Sequence, residues 1–403
     1  MTMERMTKLA ALLAGLMLAL CITGCQQTAT GPSEKEKAAM EWKGARAAVL
    51  ASLANDQYKA GNLEKSRQTV ATALALTPDN AGLHVLSAKL AIEGGQLELA
   101  EQHLQRARQI SPGDAEALYL SGVVYQRWQK PETAYEFYQQ AAKAAPAELA
   151  YVLAESEMLV AMDRMSEALA LLQSRVVYFE HSGAIRDAAG QLLMQAGKYP
   201  EALAMFRDAS ILSENDAGVR ERLAVALYAN AKYQESGDTL TKLLADAGYS
   251  HRGDLFVLLG DCQLHLDNPR AARTTFETAT QLTPYSSRGW QLLGQASLEC
   301  GDVRRAEMSL DHSLALDAKN SESHLLLGYV RLRENHVDLA LDSFQKASAA
   351  DTHDTVSLCM IGYALEKLGR PAEATKFYAR ALQMKPGDEM ASQLMAAIDL
   401  NDQ

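Results

Sequence analysis

Aromatic residues make up only 6% of this 403-residue chain, and its apolar run Leu9–Ile22 spans just 14 residues. That run is too short to cross a bilayer, which takes roughly 20 apolar residues. A basic surplus is also missing. The formal charge is −11, and removing residues 1–24, with Arg5, Lys8 and Glu4, leaves −12. Without a stripe of Lys and Arg to displace counterions from phosphates, nucleic acid is excluded as a partner. Catalytic signatures are absent too: there is no HExxH, GxxxxGKS/T, GxSxG or GxGxxG segment. The nine histidines are scattered: none stands four residues from another, and the single Cys262–His265 neighbour pair has no second pair to complete a zinc set. No catalytic residue, cofactor site or metal set is expected, and an envelope hydrolase or transferase is disfavoured.

What the chain does have is a period of 34 residues. Ala115–Pro146 shows the unit: two short amphipathic helices joined at Gln129–Lys130–Pro131. Frames begin at Ala47, Ala81, Ala115, Leu149, Gly183 and Ala217. After a two-residue slip within Ala245–Arg252 they resume at Gly253, Ser287, Ser321 and Thr355. The eighth slot is small in all ten units: Ala54, Ala88, Gly122, Ser156, Gly190, Ala224, Gly260, Gly294, Gly328 and Gly362. The twentieth slot is Ala or Ser throughout, and the twenty-fourth is always bulky, from Val70 to Tyr378. Small residues at two slots let paired helices approach closely, while the third fills the gap between them.

Prolines check the frame independently. Pro78, Pro112, Pro146, Pro284 and Pro386 close units, whereas Pro131, Pro200, Pro269 and Pro371 open second helices. A first-turn proline is tolerated because its missing N–H would have had no partner. The fourth unit, with Arg175 and no closing proline, and the sixth, with Leu243 and the slip, depart from the pattern as looser joints or as ordinary drift. Met390, Leu394 and Ile398 recur every four residues and predict a capping helix.

On these slots, residues 47–388 resemble a tetratricopeptide-repeat protein. The resemblance implies an all-α, right-handed superhelical solenoid of about ten helical hairpins with a C-terminal cap. At the other end, the basic Arg5 and Lys8, the apolar run and Ile22-Thr23-Gly24-Cys25 describe an export signal and resemble a bacterial lipobox. That resemblance implies cleavage before Cys25 and lipidation of Cys25, with Gln26 and Gln27 fitting an outer membrane facing the periplasm. The expected organisation is a signal over 1–24, a tether and lead-in helix over 25–46, repeats over 47–252 and 253–388, and a cap and tail over 389–403. Cys262, Cys300 and Cys359 would remain. A bridge between Cys262 and Cys300 is conceivable, and so are buried free thiols.

In the repeat family the first helices line a concave face, which implies a set of contact residues here. They are Tyr58, Lys59, Lys89, Tyr119, Arg127, Glu157, Gln191, Glu221, Tyr228, Asp261, His265, Gln295, Tyr329, Arg333, Tyr363 and Lys367. Spaced tyrosines with charges of both signs suit protein recognition. The concentrated Lys/Arg/Asn set of chaperone-binding relatives is absent. The expected function is a lipid-anchored scaffold of the cell envelope. It would bind other envelope proteins or extended peptides in its groove, with pilus biogenesis or secretion as the first assembly expected and polysaccharide synthesis or export as the second.

Overall fold

The computed structural model describes residues 34–401, so Cys25 and the segment expected to be an export signal lie outside the described residues. Those residues form 21 helices and no strand. The first, α1 (Glu34–Lys59), runs unbroken from the lead-in segment into the first repeat, and α2 (Leu63–Leu76) packs back against it. Pairs follow in the same order up to α19 (Thr355–Lys367) and α20 (Pro371–Met384), and α21 (Glu389–Asn401) then covers α20. The chain divides into two compact units between Ala168 and Leu169, inside α8 (Met165–Val176). Within each unit, the complete hairpins pack on their sequence neighbours.

The slot pattern becomes packing. All ten residues at the twentieth slot, from Ser66 to Ala374, are fully buried. Volumes at the eighth and twenty-fourth slots compensate. Gly122, Gly190, Gly260, Gly328 and Gly362 lie against the rings of Tyr138, Phe206, Phe276, Phe344 and Tyr378, respectively. Ala54, Ala88 and Ala224 share their hairpins with the smaller Val70, Leu104 and Leu240. Gly294 is the glycine without a ring: its neighbour is Leu310, which approaches as closely as the rings do. Where the twentieth slot is serine beside an eighth-slot alanine, its hydroxyl donates to that alanine's carbonyl: Ser66 to Ala54 at 2.7 Å and Ser236 to Ala224 at 2.8 Å.

The turn inside each hairpin repeats as faithfully. Every fifteenth-slot residue has positive φ: Gly61, Gly95, Gly197, Gly301 and Gly369, but also Gln129, Asp163, Ala231, Asp267 and Asn335. The next residue's N–H bonds back five positions, as from Gln96 to Ala91 O at 2.8 Å, which closes the first helix in a Schellman turn. Only glycine takes this conformation without a Cβ penalty of about 1 kcal/mol. Ala231→Gly, with an exposed side chain and φ of 56°, should therefore raise stability by about 0.5–1 kcal/mol, read as an upward shift of the urea midpoint. Six first helices begin on side-chain caps, namely Asn80, Asp114, Asp216, Ser286, Asn320 and Asp354.

Prolines sit where the frame puts them, with Pro131, Pro269 and Pro371 at the first residue of a second helix. The slip occupies the connection between α12 (Tyr233–Leu244) and α13 (Gly253–His265), leaving both helices at full length. In α21 the buried side is Ala391 and Ile398, with Leu394 and Met395 partly covered; Met390 is exposed and takes no part in it. Cys262, Cys300 and Cys359 are all free thiols, the first and last buried.

Candidate functional site

Each unit presents its own face of first helices. In the first unit, the Lys89 ammonium pairs with Glu116 at 2.6 Å across neighbouring hairpins. The two help line a cavity of about 270 Å³, with Ala51, Asn55, Leu86 and Asp114 also on its wall. Asn55 was not among the sequence candidates, although it occupies the same ninth slot as Lys89. Tyr119 stacks on Tyr151 with ring centres 4.7 Å apart and lies 5.4 Å from Tyr138. The Tyr138 hydroxyl donates to Gln126 Oε1 at 2.5 Å. Tyr58 is drawn into the apolar cluster around Ala54, Val70 and Leu86. Glu157 and Lys59 are exposed.

In the second unit the structure brings three sequence candidates together. The Tyr228 hydroxyl donates to Asp261 Oδ2 at 2.8 Å, and Arg288 approaches the same oxygen at 3.4 Å. Burial first, and then the bond to Asp261, push the Tyr228 hydroxyl pKa up, so it stays a donor. His265 stacks on Tyr233 at 4.1 Å and lies 6.0 Å from Tyr228. Elsewhere the candidates are separate. Gln191 donates to Asp187, which also accepts from Arg222 at 2.6 Å. Arg252 links Glu221 and Asp254, and the bond it makes holds the Asp254 carboxyl below its ordinary pKa. Gln295 donates to Glu299, and Lys367 lies over the Tyr363 ring at 5.3 Å. Tyr329 is half-buried, and burial, with Asp354 and Glu322 nearby, raises its hydroxyl pKa.

Two candidates have a structural duty. Arg127 Nη1 donates to Ile92 O, and Arg333 Nη1 donates to Leu298 O, both at 2.9 Å and both 35 residues apart. Each ties its hairpin to the last turn of the preceding first helix, whose terminal carbonyls favour a cation.

One histidine pair forms that spacing did not foretell: His84 Nδ1 and His103 Nδ1 are 3.1 Å apart, joining the two helices of the second hairpin. His84 Nε2 reaches Pro78 O at 2.9 Å. In the same slot Trp290 Nε1, which can only donate, reaches Pro284 O at 2.8 Å. His84 therefore carries its proton on Nε2 and accepts from His103 on Nδ1. Burial first, and the His84 charge second, lower the His103 pKa. The folded state then resists protonation that the unfolded chain accepts, so this contribution is present above about pH 6.5 and is lost as pH falls below that value. Urea midpoints measured from pH 7.5 to 5.5 should fall more for the parent than for His103→Gln. Among the described residues, no three His, Cys, Asp or Glu side chains gather as a metal set.

What this arrangement offers is contact surface: rings, amides and charges on rigid helices. Sequence models described as the tetratricopeptide repeat match residues 52–115 and 188–251, and a second repeat model matches 115–148 and 356–388. The chain contains tetratricopeptide repeats over those segments, a fold that typically serves as a non-catalytic interaction scaffold. No curated protein matches the sequence. Several solved structures are similar to this chain. Cut9 in the APC/C hetero-tetramer Cut9–Hcn1 is 14% identical, covering 87% of this chain and 96% of its own, with a TM-score of 0.48. Yeast Tom70 is 13% identical, covering 89% of both chains, with a TM-score of 0.43. YrrB, a repeat protein with an unusual peptide-binding site, is 18% identical, covering 46% of this chain and 95% of its own, with a TM-score of 0.39.

Proposed function

We propose that the protein is a lipid-anchored scaffold of the cell envelope, holding partner proteins or extended peptides against the first-helix faces of its two units. The observation that carries the binding role is the set of partly exposed rings and polar side chains on rigid first helices: Lys89, Tyr119, Tyr228, His265 and Tyr363. Such residues give large contact area at low entropy cost. Export and anchoring draw their support from the residues around Cys25, and the assembly served, pilus biogenesis first, from the combination of lipobox and repeats.

One experiment addresses both parts. Cells expressing the parent, Cys25→Ala, or Tyr119→Ala with Tyr363→Ala are labelled with palmitate and cross-linked before pull-down. Label should appear in the parent and vanish in Cys25→Ala. Partner recovery should drop at least fivefold in the double tyrosine variant while its helicity is retained. Undiminished recovery would remove the groove reading, and label surviving in Cys25→Ala would remove the anchor.

A further inference from the structure

The first helices of most later hairpins bury their third and seventh slots, with Ser87, Tyr151 and Leu223 only partly covered, and such slots meet the second helix of the hairpin before, as Ser323 meets Ser313. Leu83, Ala117, Ile185, Val219 and Leu255 at the third slot are all buried, and so are Leu259, Leu293, Leu327 and Ile361 at the seventh. In α1 the same slots hold Val49 and Leu53, and both are open: 69% and 46% exposed. The open face continues along the helix through Ala45, Trp42 (59% exposed) and Ala38, a spacing of three and four residues. Ala47, Ala54 and Tyr58, on the other side of α1, are the residues that meet the first hairpin's core. Among the described residues, a stacking surface of the kind that joins hairpins is thus left open.

We infer that a second copy of this chain covers it, through an antiparallel pairing of the two α1 helices about a twofold axis between Ala45 and Arg46. The register argues for this occupant, because the stripe is complementary to its own reverse. About that axis, Trp42 faces Val49 of the other copy, Ala38 faces Leu53, and small Ala45 sits at the crossing. Large residues therefore meet small or medium ones along the seam. The ends match in charge as well: Lys35 of each copy comes opposite Asp56 of the other, and all of these residues are exposed. From Lys35 to Asp56 the seam is about 32 Å long at 1.5 Å per residue. The surface is distinct from the groove faces and independent of what those faces bind.

The test uses the full chain. Light scattering after size exclusion, across a concentration series, should show a dimer in the parent and at least a tenfold weaker dimer for Val49→Glu. Lys35→Asp and Asp56→Lys should each weaken pairing, and the two together should restore it, which an unspecific apolar contact would not do. Compared with the parent, Ala45→Cys should cross-link to its own copy through a short bismaleimide, and Lys43→Cys, off the stripe, should not. A monomer at every concentration overturns the pairing. So does a dimer indifferent to Val49→Glu, or a monomer that floats with anionic vesicles through the same face.

Discussion

Gly260→Ala should destabilise the seventh hairpin by about 2 kcal/mol, and Gly260→Ala with Phe276→Leu should recover most of that loss. A Cβ at Gly260 would meet Phe276 Cε1 at 2.5 Å and Cζ at 2.7 Å, in a place where Phe276 is fully buried. Overpacking of this kind costs about 3 kcal/mol, and replacing a helical glycine with alanine returns about 1 kcal/mol. Phe276→Leu alone should cost about 1–2 kcal/mol through the void it leaves. If the slots are independent, the two losses add to about 3–4 kcal/mol. If they share one space, the double variant falls within about 1 kcal/mol of the parent. The chain already contains that combination, since Ala224 lies in the same hairpin as a fully buried Leu240. Urea midpoints of the four proteins decide between the two outcomes.

The second large effect is expected at Arg108. Its guanidinium donates to Glu101 at 2.8 Å and to the Ser121 hydroxyl, and it lies 4.7 Å over the Phe137 ring. The side chains of Arg108 and Glu101 are only 17% and 18% exposed, unlike the surface pairs on the second helices. An open pair contributes little, about 0–1 kcal/mol, and yields to salt. Arg108→Met instead strands a largely covered carboxylate between the second and third hairpins, while the Ser121 hydroxyl keeps its bond to Ala117 O, at a cost of about 2–3 kcal/mol. Adding Glu101→Leu should return more than half of that loss. A cost under about 0.5 kcal/mol that vanishes in salt would assign the pair to the surface class.

The repeat frame and the close helix approach were legible because they rest on short-range volume: a small eighth slot, a small twentieth slot and a bulky twenty-fourth. The paired volumes of the eighth and twenty-fourth slots were visible too, but only contact explains why the partner of glycine is a ring in five of the six glycine hairpins, with Leu310 the exception. The left-handed turn residue was harder to see, since Gln129 and Ala231 occupy it without the usual glycine or asparagine. Arg127 and Arg333 illustrate the limit at the candidate site. Both have the composition of groove residues, yet each also fastens to a carbonyl 35 residues earlier, which no local pattern reveals. His84 and His103 likewise meet only because two helices fold back on each other. The division at Ala168 falls in the fourth unit, which already departs from the pattern at Arg175, and not at the slip before Gly253.

The arginine ties from Arg127 to Ile92 and from Arg333 to Leu298 reach one hairpin back and no further. Length is then a free parameter for such a chain: a whole 34-residue block inserted or removed in frame leaves every surviving joint with a neighbour of the kind it had before. The number of binding stations can thus change by duplication or loss of one gene segment, with no need to redesign the rest.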